Sequence, residues 1–405
     1  IIYGKRGVII MPKKIILFNT LHQINQFGGM ERVMCDLANY LDSKGFDVII
    51  IHCDENNNKP AYKVNNNIAV INVFTRKNIS LIDKFKCLSI SKYKRHCGRA
   101  FARAKNIASG LKKLKWIFDS PDLFVCFQPE SVYIVRKYIS QKIPVIAMIH
   151  SKPSIYLNTI EFDIYKKYFS QSNYIQVLLP DFKKDVLIAQ SNAKVIVIPN
   201  AVTDFKDACI RNKYQRENII TAVGRVTKEK NHIQLIKAFE LIAMQHPDWR
   251  VEIWGSTEGA YAKKLIDYVE QNVILGGKVK FCGITNDIYS VLQRASIFVM
   301  PSLFEGFSLA LIEAMSHGLP VIGRASCSGI NGLIKNDING FLVGDTAEDL
   351  SYKLSNLIDD FSLRERLGRN GISESSSFLP DNIYGEWVKL INDIIDDSQN
   401  KNVGL

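Results

Sequence analysis

The chain has 405 residues, 47 % of them hydrophobic and 23 % charged, a composition that excludes a disordered or fibrous protein. Its length favours two domains over a single core. The net charge of +12 is unevenly divided: residues 1–200 carry 30 Lys and Arg against 14 Asp and Glu, a surplus of +16, whereas residues 201–405 carry 22 against 26, a balance of −4. The basic half is expected to face something anionic: nucleic acid, a membrane surface or a charged acceptor.

No stretch of the sequence approaches the roughly 18 apolar residues needed to span a bilayer. Residues 1–10 precede Met11-Pro-Lys-Lys and lack a small-residue cleavage site, so they are expected to be an extraneous extension ahead of a start at Met11 rather than a signal peptide. The eight cysteines, Cys35, Cys53, Cys87, Cys97, Cys126, Cys209, Cys282 and Cys327, form no Cys-x-x-Cys pair. Packed, reduced thiols in a cytosolic protein are the expectation.

Apolar runs at 15–18, 48–51, 68–73, 123–127, 145–149, 175–179 and 195–198 are short, rich in Val and Ile, and continuous rather than alternating. Such runs predict strands buried on both faces, hence a parallel sheet with helices on both sides. A second series follows at 219–223, 251–254, 279–281, 297–300 and 320–322, after a polar, aperiodic stretch at 204–218. The expected class is α/β, two doubly wound domains in tandem: 1–203, 204–378, and a C-terminal helix within 379–405 returning towards the first domain.

Residues 76–115 hold thirteen Lys and Arg and a single acid, Asp83. Phe101, Ala104, Ile107, Leu111 and Leu114 recur at helical spacing between Arg103, Lys105, Lys112, Lys113 and Lys115, which predicts one or two basic amphipathic helices. Either the charges are simply solvated, or the face lies against anionic lipid headgroups.

Three segments carry chemistry. Glu305 and Glu313 flank the start of a helix expected near Ser308, just after the strand at 297–300. There Gly306 permits close backbone approach, and the amides of Gly306, Phe307 and Ser308 point towards a ligand. Carboxylates at that place suit sugar hydroxyls, although Glu305 as a helix cap and Glu313 as an exposed bystander are the plainer alternatives. Arg225 and Lys230 fall in the loop after 219–223, a fork and a point charge that suit a diphosphate. Gly28 and Gly29, in Phe27-Gly-Gly-Met-Glu-Arg, open the first strand-to-helix loop without matching a dinucleotide or triphosphatase motif. His150 ends the strand at 145–149 and His22 lies in the first loop, either of them a catalytic group or a structural hydrogen-bonder.

Together these motifs resemble the retaining glycosyltransferases of family 4, the group-1 type, whose GT-B architecture consists of two facing Rossmann-like domains. The carriers are Glu305 and Glu313 within Ser-x-Phe-Glu-Gly-Phe, Gly224-Arg225 with Lys230-Asn231, Gly28-Gly29-Met-Glu-Arg, and Ile198-Pro-Asn-Ala at the junction. They stand in the family's order over nearly the whole chain. Three segments depart from the pattern: Trp254-Gly-Ser-Thr-Glu-Gly replaces a Gly-x-Gly turn, Asn200-Ala-Val-Thr stands for Asn-Gly-Val-Asp, and Ser326-Cys-Ser-Gly-Ile-Asn-Gly looks like the Ser-Gly variant of bacterial lipopolysaccharide, O-antigen and capsule transferases.

The resemblance implies a nucleotide-sugar donor as substrate, a UDP-sugar favoured, and no cofactor. It implies that Glu313 binds ribose, Glu305 the transferred sugar, Arg225 and Lys230 the diphosphate, with the amides of Gly306, Phe307 and Ser308 beside them. Gly28 and Gly29 would face the donor from the other domain, His150 would contact the sugar, and Ile284 would meet the base with main-chain atoms. It also implies a glycolipid or surface-polysaccharide acceptor, and a peripheral place at the inner face of the cytoplasmic membrane. No Asp-x-Asp pair stands in a plausible loop, so the transfer is expected to be metal-independent. Two other classes compete: a sugar-nucleotide epimerase or hydrolase on the same architecture, and a basic membrane- or nucleic-acid-binding protein without transferase activity. Residues 76–115 hold few aromatics for base stacking, which argues against nucleic acid.

Overall fold

The structure is a computed structural model that describes residues 2–4, 7–9, 12–20, 28–54, 60–73, 92–114, 121–202 and 216–403. His22, Phe27, Met11, Cys87, Cys209, Lys115, the basic stretch 76–91 and most of the expected junction at 204–218 lie outside the described residues. The chain divides into two compact units, one formed by Ile1–Pro199 with Tyr384–Leu405 and the other by Asn200–Ile383.

Strands β1 (Ile2–Gly4) and β2 (Gly7–Ile9) form a short antiparallel ladder. The first unit's main sheet then takes β3 (Lys14–Phe18), β4 (Asp47–His52), β5 (Ala69–Asn72), β6 (Leu123–Cys126), β7 (Val145–Met148), β8 (Tyr174–Val177) and β9 (Val195–Val197). Their order is β5-β4-β3-β6-β7-β8-β9, and every ladder is parallel. The central strands β6 and β7 are buried at every residue, which is what their unbroken apolar runs require of a sheet covered on both faces.

The second unit repeats the plan with β10 (Ile219–Val223), β11 (Arg250–Trp254), β12 (Val279–Gly283), β13 (Ile297–Met300), β14 (Val321–Arg324) and β15 (Gly340–Val343). The order is β12-β11-β10-β13-β14-β15, again parallel throughout. Its core gathers Ile220, Leu235, Phe239, Ile253, Ile297, Ile322 and Leu354 from both faces of that sheet. In each unit the chain works outward from a first strand and then returns to pair on that strand's other side. The order therefore reverses between β3 and β6, and between β10 and β13. Ligand crevices form at such reversals, outside the carboxyl ends of the strands.

Two features differ from the sequence expectation. β15 was not expected, because its four residues begin at Gly340 and follow Asn339, a context that signals a turn. And Phe101, expected on the buried face of the basic helix, is 39 % exposed. That helix runs Lys92–Lys112, and its Ala104, Ile107 and Leu111 are buried as their spacing predicts. Phe101 instead leans on the Tyr133 and Tyr165 rings at the surface, 5.6 and 6.4 Å away between centroids.

The last helix, Pro380–Val403, belongs to the first unit from Tyr384 onward. Tyr384, Trp387, Ile391 and Ile395 bury one side of it, the Tyr384 ring lies 5.1 Å from Tyr40, and Lys13 Nζ bonds both Asn392 and Asp396.

Candidate active site

At the β10/β13 reversal two loops are laced together. The loop after β10 holds Gly224, Arg225 and Lys230; the loop after β13 holds Glu305 and Gly306. Leu303 N donates to the Glu229 carbonyl at 2.7 Å and Asn231 Nδ2 to the Pro301 carbonyl at 3.2 Å. Across this lacing, Lys230 Nζ meets Glu305 Oε1 at 2.5 Å, with both side chains largely buried. Arg225 is exposed beside them. The Lys230 stem lies against Gly224, so the absent side chain at 224 is part of what lets the ammonium reach the carboxylate.

Two further glycines fix this geometry. Gly255, at the end of β11, has φ +143° and packs so tightly on Gly224 that a Cβ would collide with the Gly224 carbonyl. Gly329 packs its Cα against the Glu305 backbone, where a Cβ would collide with the carbonyl of Glu305. The Ser328-Gly329 dipeptide, which opens the short helix Ser328–Asn331, is thus the seat on which Glu305 rests. Neighbouring Cys327 is buried, and burial first, then the Glu305 charge, pushes its thiol up to about 11, which leaves it protonated and unreactive.

The helix Leu309–Ser316 begins where expected, but its cap is Ser308 rather than Glu305: Ser308 Oγ accepts from Leu311 N at 3.3 Å. Glu305 is thereby left to Lys230. Glu313 lies inside the helix and is only 4 % exposed, so it is no surface bystander. A carboxylate is not retained in such a place for solubility. Phe307 is buried against Phe378, with ring centroids 5.6 Å apart. Ile284, just past β12, is 59 % exposed.

The second unit therefore pairs Lys230 with Glu305 at the β10/β13 reversal, with Arg225 exposed in the loop of Lys230 and Gly306, Phe307 and Ser308 leading from Glu305 into the helix that carries Glu313. The chain matches the glycosyl transferases group 1 family over residues 205–374 and Glycosyltransferase Family 4 over residues 27–204. The chain belongs to the group 1, family 4 glycosyltransferases.

Whole-length similarity agrees with this membership. The chain is 25 % identical to an uncharacterized glycosyltransferase of Haemophilus influenzae, over 94 % of this chain and 100 % of that protein. It is 26 % identical to the GalNAc-α-(1→4)-GalNAc-α-(1→3)-diNAcBac-PP-undecaprenol α-1,4-N-acetyl-D-galactosaminyltransferase of Campylobacter jejuni, over 91 % of this chain and 96 % of that one. A shorter match, 35 % identical, joins 37 % of this chain to 41 % of an Escherichia coli UDP-Gal:α-D-GlcNAc-diphosphoundecaprenol α-1,3-galactosyltransferase. Among solved structures, a sucrose-phosphate synthase from Thermosynechococcus elongatus superimposes with TM-score 0.76 at 19 % identity, covering 95 % of this chain and all of that one. Staphylococcus aureus TarM, solved with UDP bound, gives 0.72 at 17 % identity, covering 94 % of this chain and all of that one. The fold is that of the GT-B glycosyltransferases, and this glycosyltransferase acts in glycan biosynthesis.

The remaining expected residues of the glycosyltransferase lie in the first unit. Gly28 is the N-cap and Gly29 the first residue of the helix Gly29–Ser43, and the Glu31 carboxylate folds back over Gly28. His150 follows β7; its ring stacks on Phe127 at 5.2 Å and its buried Nε2 has no hydrogen-bond partner among the described residues. Burial lowers His150 to about 4, so the imidazole is neutral at physiological pH. Among the described residues there is no group of three or more His, Cys, Asp or Glu placed to hold a metal ion. Gly255 and Gly329 lie in two of the segments that depart from the family pattern, but nothing in the sequence signalled their close packing on Gly224 and Glu305.

Proposed function

We propose that this glycosyltransferase is a retaining enzyme that moves a hexose or N-acetylhexosamine from a UDP-sugar to a lipid-linked or surface-polysaccharide acceptor. The observation that carries the proposal is the Lys230–Glu305 pair, laced into the β10/β13 reversal beside exposed Arg225 and the Ser308-capped helix. In this reading the donor diphosphate takes Lys230 from Glu305, and Glu305 turns its freed oxygens to the sugar hydroxyls. Lys230, Arg225 and the amides of Gly306, Phe307 and Ser308 then oppose the negative charge that grows on the departing diphosphate, which is where preorganised charge accelerates a reaction most. With that charge supplied by the chain, the transfer needs no metal. Glu313 holds the ribose and main-chain atoms at Ile284 meet the base, while Gly28, Gly29 and neutral His150 are the ligand-contacting residues proposed for the first unit.

Retention follows if the leaving phosphate itself takes the proton of the acceptor hydroxyl on the face it departs from: the glycosyl–oxygen bond to phosphate breaks, the bond to the acceptor oxygen forms, and the proton passes to the diphosphate. The UDP preference is supported by the UDP-galactose named for the Escherichia coli relative, and by the UDP and glucose bound in the similar Anabaena HepE structure (TM-score 0.70, 15 % identity). A peripheral place at the cytoplasmic face of the membrane is supported by exposed Arg99, Lys105, Lys112 and Lys113 on the basic helix and its end. No described helix is long and apolar enough to cross a membrane.

The test is product analysis with a UDP-sugar panel, with and without undecaprenyl-diphosphate-linked GlcNAc. A glycosyltransferase makes an α-linked product only when the acceptor is present. A rearranged nucleotide sugar formed without acceptor would establish an epimerase instead.

A further inference from the structure

One buried amide stands among apolar side chains in the helix that follows the Lys230 loop. The helix His232–Ile242 buries Leu235, Ile236, Ala238 and Phe239, and Gln234 beside them is only 5 % exposed. Its Nε2 donates to the Gly344 carbonyl at 3.0 Å and to the Thr346 carbonyl at 2.8 Å, in the segment after β15. Its Oε1 accepts from Asn231 Nδ2 at 3.0 Å and from Arg324 Nη1 at 3.4 Å. Asn231 directly follows Lys230, and the same Nδ2 also donates to the Pro301 carbonyl in the loop of Glu305. Arg324, at the end of β14, donates through Nε to Ser326 Oγ at 2.8 Å, on the way to Gly329, and pairs with Asp345 at 2.9 Å.

Packing alone does not call for an amide here. Leu or Met would fill the same volume, and a buried amide costs free energy unless its donors and acceptor are bonded. In Gln234 both N–H groups and both oxygen lone pairs are used. Turning the amide over would set its N–H groups against two donors and its oxygen against two carbonyls, so it holds one orientation. Asn231 is fixed as well: its φ of +53° lies in the left-handed region, which asparagine tolerates better than most residues. These bonds converge on the Lys230 loop, the turn before Glu305, and the segment from Arg324 to the Gly329 seat. Each partner of the Lys230–Glu305 pair is thus tied to Gln234 through its own stretch of main chain.

We propose that Gln234 is a positioning residue for the Lys230–Glu305 pair, fixing the main chain on both sides so that only the two side chains move when a diphosphate enters. This rests on the donor-site reading given above. Lysine is a point charge on a flexible stem, so the place of its ammonium is set by the loop that carries it. With the tie through Gln234 cut, that loop loosens and the ammonium drifts from Glu305 towards solvent. A diphosphate gripped by Lys230 then loses more than a ribose held from the helix Leu309–Ser316, because that helix keeps its own Ser308 cap.

The experiment compares wild type, Gln234→Leu, Asn231→Gly and the double variant in the full chain. Asn231→Gly keeps the left-handed backbone and removes only the side-chain amide. Acetic anhydride labelling, read by mass spectrometry, reports Lys230 against exposed Lys228 as internal reference, and calorimetry reads UDP and UMP. Lys230, paired with Glu305 in wild type, should label several-fold faster in each single variant. The double variant should fall short of the product of the two, since both cut the same tie. UDP affinity should drop about tenfold in Gln234→Leu, the equivalent of roughly one hydrogen bond, and UMP, without the second phosphate, should change far less. Lys230 labelling at the wild-type rate, or equal losses of UDP and UMP, overturns the assignment. Should Gln234→Leu fail to fold, Asn231→Gly carries the same two readouts. Faster labelling of Lys230 in the variants, with UDP failing to bind even wild type, would instead overturn the donor-site reading and leave the positioning role standing.

Discussion

Lys230 Nζ and Glu305 Oε1 lie 2.5 Å apart although 75 residues separate them in the chain. The pair joins the first strand of the second unit's sheet to the strand that reverses its order. Each partner is one that donor chemistry would otherwise claim: a cation for phosphate, a carboxylate for sugar hydroxyls. Without ligand they satisfy one another, so neither is a bare buried charge. In the proposed donor site, binding would exchange one hydrogen bond for others, and selectivity would come from how well the incoming group repays both partners at once.

Removing either partner should therefore do more than weaken contact with a ligand. Lys230→Ala leaves the Glu305 carboxylate largely buried and without its cation, and withdraws the charge opposite the leaving diphosphate. We expect kcat to fall by about 10²–10³-fold, the usual cost of losing one preorganised electrostatic group. Lys230→Arg should recover part of it. Steady-state UDP release checks both variants.

Gly329→Ala tests the seat under Glu305. The added methyl collides with main chain, not with a flexible tip, so the Glu305 loop must move. A displacement of this kind near the chemistry costs on the order of 10²-fold in rate. UDP affinity, which the proposed site assigns mostly to Glu313 and Lys230, should change far less. Equal losses in UDP affinity and turnover would show that Gly329 supports the whole crevice rather than Glu305.

Glu313→Gln keeps the shape of the buried side chain and removes its charge. If Glu313 holds the ribose, the Kd for UDP should rise by about tenfold to a hundredfold, the range for a charge-assisted hydrogen bond to a hydroxyl. Calorimetry with UDP and with UMP reads this, and both ligands should lose equally, because they share the ribose.

Acid should destabilise the protein through its buried histidines, among them His52, which burial holds below its ordinary value. His150 and His232 are both lowered to about 4 by burial, His232 further by the Lys230 charge. Between pH 6.5 and 4 the unfolded chain binds these protons and the folded chain does not, so stability is full above about 6.5 and is lost as pH falls towards 4. Chemical denaturation across that window should show a declining midpoint, and His150→Gln should flatten the decline. A midpoint independent of pH over this range would mean that the rings are charged in the folded protein.

Much of this was legible beforehand because buried parallel strands write themselves as short runs rich in Val and Ile: twelve such runs fall on strands, with ends displaced by a residue or two. Strand β15 escaped because Gly340 and its polar neighbours resemble a turn. The helix at Leu309 was legible from Ser308 and the apolar run behind it, and the cap falls on Ser308. What could not be read was pairing at a distance. Nothing local marks Lys230 as the partner of Glu305, Gly329 as the seat of Glu305, or Gln234, one amide in an apolar helix, as the tie between their loops. These are products of strand order, and strand order is set by the whole sheet.

The most direct measurement is thermal melting of wild type, Lys230→Ala and Glu313→Ala against a panel of UDP- and GDP-sugars in the presence of a chelator. A ligand that binds only the folded state raises the melting temperature in proportion to its affinity. One UDP-sugar should stabilise wild type without added metal, and that shift should vanish in both variants. No shift with any nucleotide sugar, or an undiminished shift in Lys230→Ala, would contradict a donor site built on Lys230 and Glu305.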